Sequence, residues 1–226
     1  MNYQEILKAF VETLFLLGVT GIFVLVIGLV IGFILFFTES KEEDERTLGV
    51  KIAFRLTSFV VDLARSIPFM ILMIILIPLT LVLMGTMLGA KAALPALIIS
   101  AAPFFARLVY MSLKDVDGGK VEALEAMGAS KTTIIVNLTK EALPSLITGF
   151  TVTLVTLVGF IASAGAIGAG GLGDLAKRRA FNNQYLEAYI CVILVLLIVF
   201  SIQLIGDIIV KKIDKRWGWI KWRKIY

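Results

Sequence analysis

The sequence predicts an all-α integral membrane protein of five transmembrane helices with one long cytoplasmic loop, and three observations carry that expectation. Of the 226 residues, 59% are hydrophobic and 17% are charged, whereas a soluble domain averages about 45–50% apolar and about 25% charged. Mean hydropathy is +0.95. The apolar residues fall in uncharged runs long enough to cross a hydrocarbon layer of about 30 Å, which takes about 20 helical residues, and the polar residues gather between the runs. A soluble enzyme is excluded, and residues 1–226 are expected to form a single membrane domain.

Taken in order, Thr13 to Phe37 is uncharged and gives the first span, 13–37. Its N-terminal flank carries Glu5, Lys8 and Glu12 instead of a basic cluster, so it does not read as a cleaved signal peptide. Gly28 and Gly32 make a small-xxx-small face suited to close packing. The charged stretch Glu39 to Arg46 marks an aqueous linker. Lys51 to Asp62 is amphipathic, and with the uncharged run to Gly89 it predicts a second span over 60–89, kinked at Pro68 and Pro78. The third span, 92–113, contains Pro95 and Pro103, which predict local bends. Residues 114–141 are polar. The fourth span, 142–165, is rich in small residues and loosens into a glycine run, and the fifth is 188–206. A basic tail follows, with Trp217, Trp219 and Trp222 suited to the headgroup level.

Five spans put the termini on opposite sides. Lys and Arg collect on one set of flanks, notably Lys41, Arg46, Lys51 and Arg55, then Lys114, Lys120, Lys131 and Lys140, then the run from Lys211 to Lys224; Lys8, Lys91, Lys177, Arg178 and Arg179 lie on the other. By the positive-inside rule the N-terminus is outside and the C-terminus cytoplasmic. The net charge of +5 therefore records topology, and no nucleic-acid partner is expected. There is no histidine, and the one cysteine, Cys191, lies in an apolar run, so no metal site or histidine proton relay is expected.

Within the cytoplasmic interval, Val121, Leu124 and Met127 share one side of a short helix and Glu122 and Glu125 another. Gly128 suits its C-terminus and Ser130 can cap a new helix after Ala129. The pattern predicts helix, turn, helix, a short amphipathic element without a partner in its own chain and so fitted to dock on another protein.

Glu122-Ala123-Leu124 with Gly128, followed by Glu141-Ala142-Leu143-Pro144, resembles the EAA loop of bacterial ABC importer permeases. Arg65-Ser66-Ile67-Pro68-Phe69, the block Ala101 to Arg107, and Gly165 to Leu175 resemble the permease subunit of methionine importers, a likeness running from about Thr13 to Lys212. The resemblance implies a bacterial inner-membrane permease that pairs with a second copy of itself and sits on two ATPase subunits, receiving substrate from an extracytoplasmic binding lipoprotein. ATP would be bound by the partner subunit, and this chain would hold no catalytic residue and no cofactor. Glu122, Ala123, Leu124, Gly128, Ala129 and Ser130 would form the coupling loop. The chain departs from the pattern in having Leu124 where the family has Ala, and Lys140-Glu141 where it often has an earlier Leu-Pro.

Gly168, Gly170 and Gly173 match G-x-G-x-x-G, but they follow a span and no βαβ unit surrounds them, so no dinucleotide site is expected. No G-x-x-x-x-G-K-[ST] occurs. The ionisable residues nearest the spans are Asp62, Arg65 and Arg107, readable as helix pairing or as gating groups. A charge-free middle suits a zwitterionic or apolar solute moving along a mechanically opened path. Two alternatives stay open: a permease for another small solute such as an osmoprotectant, and a stand-alone channel or secondary carrier.

Overall fold

The computed structural model describes residues 3–39 and 48–214. Most of the expected linker from Glu39 to Arg46, and the tail with Trp217, Trp219 and Trp222, lie outside the described residues. The described chain is all helical: α1 Tyr3–Thr38, α2 Leu48–Ser66, α3 Phe69–Ile75, α4 Ile77–Met84, α5 Ala90–Lys114, α6 Gly118–Ala126, α7 Lys131–Gly165, α8 Gly171–Phe181 and α9 Tyr185–Ile213. Among these, α1, α5, α7 and α9 are long and apolar enough to cross a membrane, and α2 with α3 meets the same test as a pair bent by 105°.

The packing centre is α5. Of its most apolar stretch 67% is buried, against 28% in α1 and α7 and 17% in α9, so those three present apolar surface outward as lipid-facing helices do. Small side chains allow this: Ala93, Ala96, Ala101, Ala102 and Ala106 are buried around Leu97, Phe105 and Val109. The most extensive helix pairing is α1 with α5, and Gly28 and Gly32 set its spacing. A Cβ at Gly28 would lie 2.6 Å from Phe105 Cδ1, and one at Gly32 would lie 2.6 Å from Val109 Cγ1 and 2.8 Å from the Ala106 carbonyl oxygen. The small-xxx-small face is thus used within the chain.

Two elements differ from the linear reading. The segment expected as one kinked span over 60–89 is three helices. Pro68, with no N–H to donate and ψ of 134°, precedes α3 in extended backbone; Leu76 is the cap shared by α3 and α4, Pro78 lies in the first turn of α4, and Gly85 closes that helix at φ +70°. The fourth span is also not confined to the apolar run: α7 starts at Lys131 and passes through Pro144 to Gly165, 35 residues, or about 50 Å at about 1.5 Å per residue. The second helix of the polar loop and the span are one helix.

Close approach at Gly32 predicts that Gly32→Ala lowers the midpoint of thermal unfolding in detergent, by a loss of about 1–3 kcal/mol for an overpacked contact. Gly18, where an added Cβ meets nothing within 4 Å, is the control: Gly18→Ala leaves the midpoint unchanged or raises it, since Ala is the better helix former by about 1 kcal/mol.

Candidate functional site

The loop between α5 and α7 is built from local capping. Asp117 precedes α6, and its Oδ1 accepts from the Gly119 N–H at 2.9 Å. At the other end the N–H groups of Met127 and Gly128 donate to the carbonyls of Ala123 and Glu125, and the Ala129 N–H donates to the Leu124 carbonyl. Gly128 has φ +73°, a left-handed conformation that glycine adopts without a Cβ clash. Ser130 then caps α7, its Oγ accepting from the Thr133 N–H at 3.2 Å. The predicted helix, turn, helix is present, with Gly128 and Ser130 at its two junctions.

None of the residues of α6 is buried. Val121 and Leu124 turn partly inward, toward the N-terminal part of α7 where Leu138 is buried, and Glu122, Ala123 and Glu125 are exposed. Met127, at the exit, is 74% exposed. Glu122 therefore stands on the outer side of a short projecting helix, Leu124 on its inner side, Ala123 exposed at the edge of the groove between α6 and α7, and Ala129, half-buried, in the turn before α7.

Asp62 and Arg65 lie near the end of α2, and Arg107 lies two turns before the end of α5. Asp62 and Arg65 pair at 3.9 Å one turn apart on α2, with both side chains well exposed. The Arg65 guanidinium also lies 5.7 Å from the centre of the Phe104 ring, which brings the Arg65-Ser66-Ile67-Pro68 block onto the Ala101 to Arg107 block. Arg107 sits 4.9 Å from the centre of the Tyr110 ring on its own helix. Of these contacts the one between Arg65 and Phe104 joins α2 to α5, and the other two lie within one helix.

The glycine run is a reversal that folds α8 back on α7. Gly168, Gly170 and Gly171 have φ of +99°, +75° and +76°, and a Cβ at Gly165 would lie 2.6 Å from the Asp174 backbone nitrogen. The first N–H groups of α8, which in a phosphate loop would face a ligand, point at α1: Gly171 donates to Glu12 Oε2 and Leu172 to Thr13 Oγ1, each at 2.9 Å. A carboxylate at this helix N-terminus satisfies its orphan donors and its dipole. Among the described residues no group of three or more His, Cys, Asp or Glu side chains could hold a metal ion.

Three polar clusters escape the linear reading. At the glycine-run end, Arg179 pairs with Glu5 of α1 and, at 3.2 Å, with Glu187 of α9; its side chain and that of Glu187 are 15% and 14% exposed. At the α6 end, Glu39 accepts from Tyr110 Oη and from Lys114 Nζ, joining the end of α1 to the last turn of α5. Lys120 Nζ lies 2.6 Å from Glu141 Oε1, joining α6 to α7. The charged partners were visible only as flank charges, because the pairs lie far apart in sequence.

The comparisons with known proteins agree with this architecture. Residues 48–219 match the family described as the binding-protein-dependent transport system inner membrane component. The methionine import system permease protein MetP of Bacillus subtilis is 44% identical over 159 residues, covering 70% of this chain and 72% of that protein. A probable D-methionine transport system permease protein MetI of Vibrio cholerae is 38% identical over 218 residues, covering 96% and 95%. A chain of the MetNI methionine ABC transporter, solved in inward-facing conformations, superposes with a TM-score of 0.85 at 37% identity, over 94% of this chain and 97% of that one. With similarity running through both the loop and the spans, this chain belongs to the binding-protein-dependent transport system inner membrane components.

Proposed function

We propose that this chain is the membrane-spanning permease subunit of an ATP-driven methionine importer. The observation that carries the reading is α6: a capped helix with no buried residue of its own, held between two long helices of a chain whose near full-length relatives are named as methionine permeases. Such a helix has its docking face toward a partner. In this reading the partner is an ATPase subunit, two of which bind the ATP and serve a pair of permease chains, with an extracytoplasmic binding lipoprotein delivering substrate. The N-terminus is outside and the C-terminus cytoplasmic, as the Lys and Arg bias favours, so α6 faces the cytoplasm.

Each loop residue has a physical part in docking. Glu122 offers a carboxylate to exposed donors on the ATPase, Ala123 lets the two surfaces approach, and Leu124 sits on the inner, half-buried side of α6. Gly128 turns the chain back, and Ala129 and Ser130 start the long helix that enters the membrane. Closure of the ATPase pair on ATP would move α6, and α5 and α7 would move with it. Arg65 joins α2 to α5 through Phe104 in this scheme, with Asp62 beside it on α2 and Arg107 against Tyr110 on α5, so the three serve helix pairing and not gating.

Two outcomes test the reading. Gly128→Pro cannot take φ +73° and loses the Gly128 N–H donated to Glu125, while Glu122→Lys reverses the charge offered to the ATPase. Both variants are expected to insert normally yet lose the co-purifying ATPase and show uptake at background; normal uptake in both would sink the docking assignment. For the substrate, unlabelled methionine is expected to suppress uptake of labelled methionine by cells expressing the whole system, with an osmoprotectant such as glycine betaine leaving it unchanged. The reverse pattern would move the assignment to the osmoprotectant class, and uptake by vesicles without any ATPase would favour a stand-alone carrier.

A further inference from the structure

The inward side of α6 is loosely packed. A cavity of about 310 Å³ lies under the helix, between Val121, Leu124 and Met127 on one side and Asn137 and Leu138 on the other. A second, of about 400 Å³, lies on its α5 side, bounded by Ser112, Asp115, Asp117 and Ser145. Lys120 and Glu141 line both cavities, and their ion pair, at 2.6 Å, is the partition between them. Val121 gives α6 an apolar line of contact with the core at Leu138 and Ala142, about which the helix could still tilt into the open space on either side. The charged contact is a second point of attachment.

The far end of that contact is firmly seated. Ala142, next to Glu141, is 2% exposed, and one turn further along α7 the Ser145 hydroxyl lies 3.0 Å from that of Ser112 on α5. The pair therefore runs from a projecting helix to the place where α7 is fastened into the bundle. We propose that the Lys120–Glu141 ion pair is a strut that sets the angle of α6 to α7 and passes displacement of α6 into the membrane-spanning part of α7. The transmission half rests on the reading of α6 as the docking helix; the angle-setting half does not.

Lys120 and Glu141 are positioning residues, with side chains 56% and 38% exposed. An exposed pair adds little to folding stability, so neutral variants fold. The test is a double-mutant cycle in the full chain: Lys120→Gln, Glu141→Gln, both together, and Lys120→Arg as the conservative variant. Spin labels at Glu125→Cys on α6 and Ile135→Cys on α7, in a Cys191→Ser background, report the spread of distances in the purified permease. Both single variants and the double variant are expected to broaden the distribution equally, because removing either partner removes the whole contact, and Lys120→Arg is expected to keep it narrow. In the complex, methionine taken up per ATP hydrolysed should fall by about threefold in the first three, within the range an exposed ion pair can supply.

An unchanged distribution in both single variants, or a double variant worse than either by the product of the two, overturns the strut. Unchanged uptake per ATP with broadened distances overturns its part in transmission. Failure of any ATPase subunit to co-purify with the parent chain overturns the docking reading and the transmission half with it, while the distances still decide whether the pair sets the angle.

Discussion

The bundle depends on how closely α1 and α5 approach. Between helices in lipid there is no hydrophobic gain from burying apolar surface, since the lipid tails are as apolar as leucine, and association rests on shape and on polar contacts. Gly28 and Gly32 let the α1 backbone reach Phe105, Val109 and the Ala106 carbonyl, and the alanines of α5 let other helices approach its remaining sides. With α5 enclosed, α1, α7 and α9 are left to turn their large apolar side chains outward. The distribution of exposed leucine, isoleucine and phenylalanine follows from one narrow helix at the centre.

Close packing settles the middle of the bundle, and polar contacts between distant residues settle its ends. Glu12 and Thr13 of α1 cap α8, and Arg179 gathers Glu5 and Glu187 from the helices on either side. At the other end Glu39, Tyr110 and Lys114 join α1 to α5. Helix ends carry the backbone groups that no intrahelical partner satisfies, and beside a membrane those groups are costly unless paired. Glu12 within α1 and Glu39 just past its end make this segment a clamp on α8 and α5 as well as a packed neighbour. The same arrangement keeps the interior free of charge, which suits a path opened by moving helices more than one worked by a titrating group.

Much of this was legible in the sequence because the signals are local. Uncharged runs mark the long spans, and Gly128 and Ser130 mark the turn. What was not legible depends on geometry at a distance. Pro68 and Pro78 predict a kink, but a 105° bend depends on what α2 finds to pack on, and Arg65 finds Phe104 nearly forty positions away. The helix capped by Ser130 reads as separate from the span that starts at Ala142 because hydropathy drops at Lys140 and Glu141, although a helix can run through a change of solvent when its backbone bonds are internal and its outer side chains are simply hydrated. The partner of Glu12 could not be named from sequence, since a backbone N–H carries no residue signature.

That continuity of α7 bears on how a push at the loop can act across the membrane. A chain broken at the interface would absorb displacement of α6 in its joint, whereas a helix running from Ser130 to Gly165 moves as one body, and bending it costs hydrogen bonds along its length. At its far end α7 meets the reversal in which a Cβ at Gly165 or Gly173 has no room, so α8 is locked to it, and α8 is locked in turn to α1 by Glu12 and Thr13. From α7 onward the links to the glycine-run end are close-packed or hydrogen-bonded. Pro144 is the one place along α7 where a backbone bond is already missing, and it lies one residue before Ser145, whose hydroxyl contact with Ser112 holds α7 to α5. The weakest point of the helix is braced by the central one.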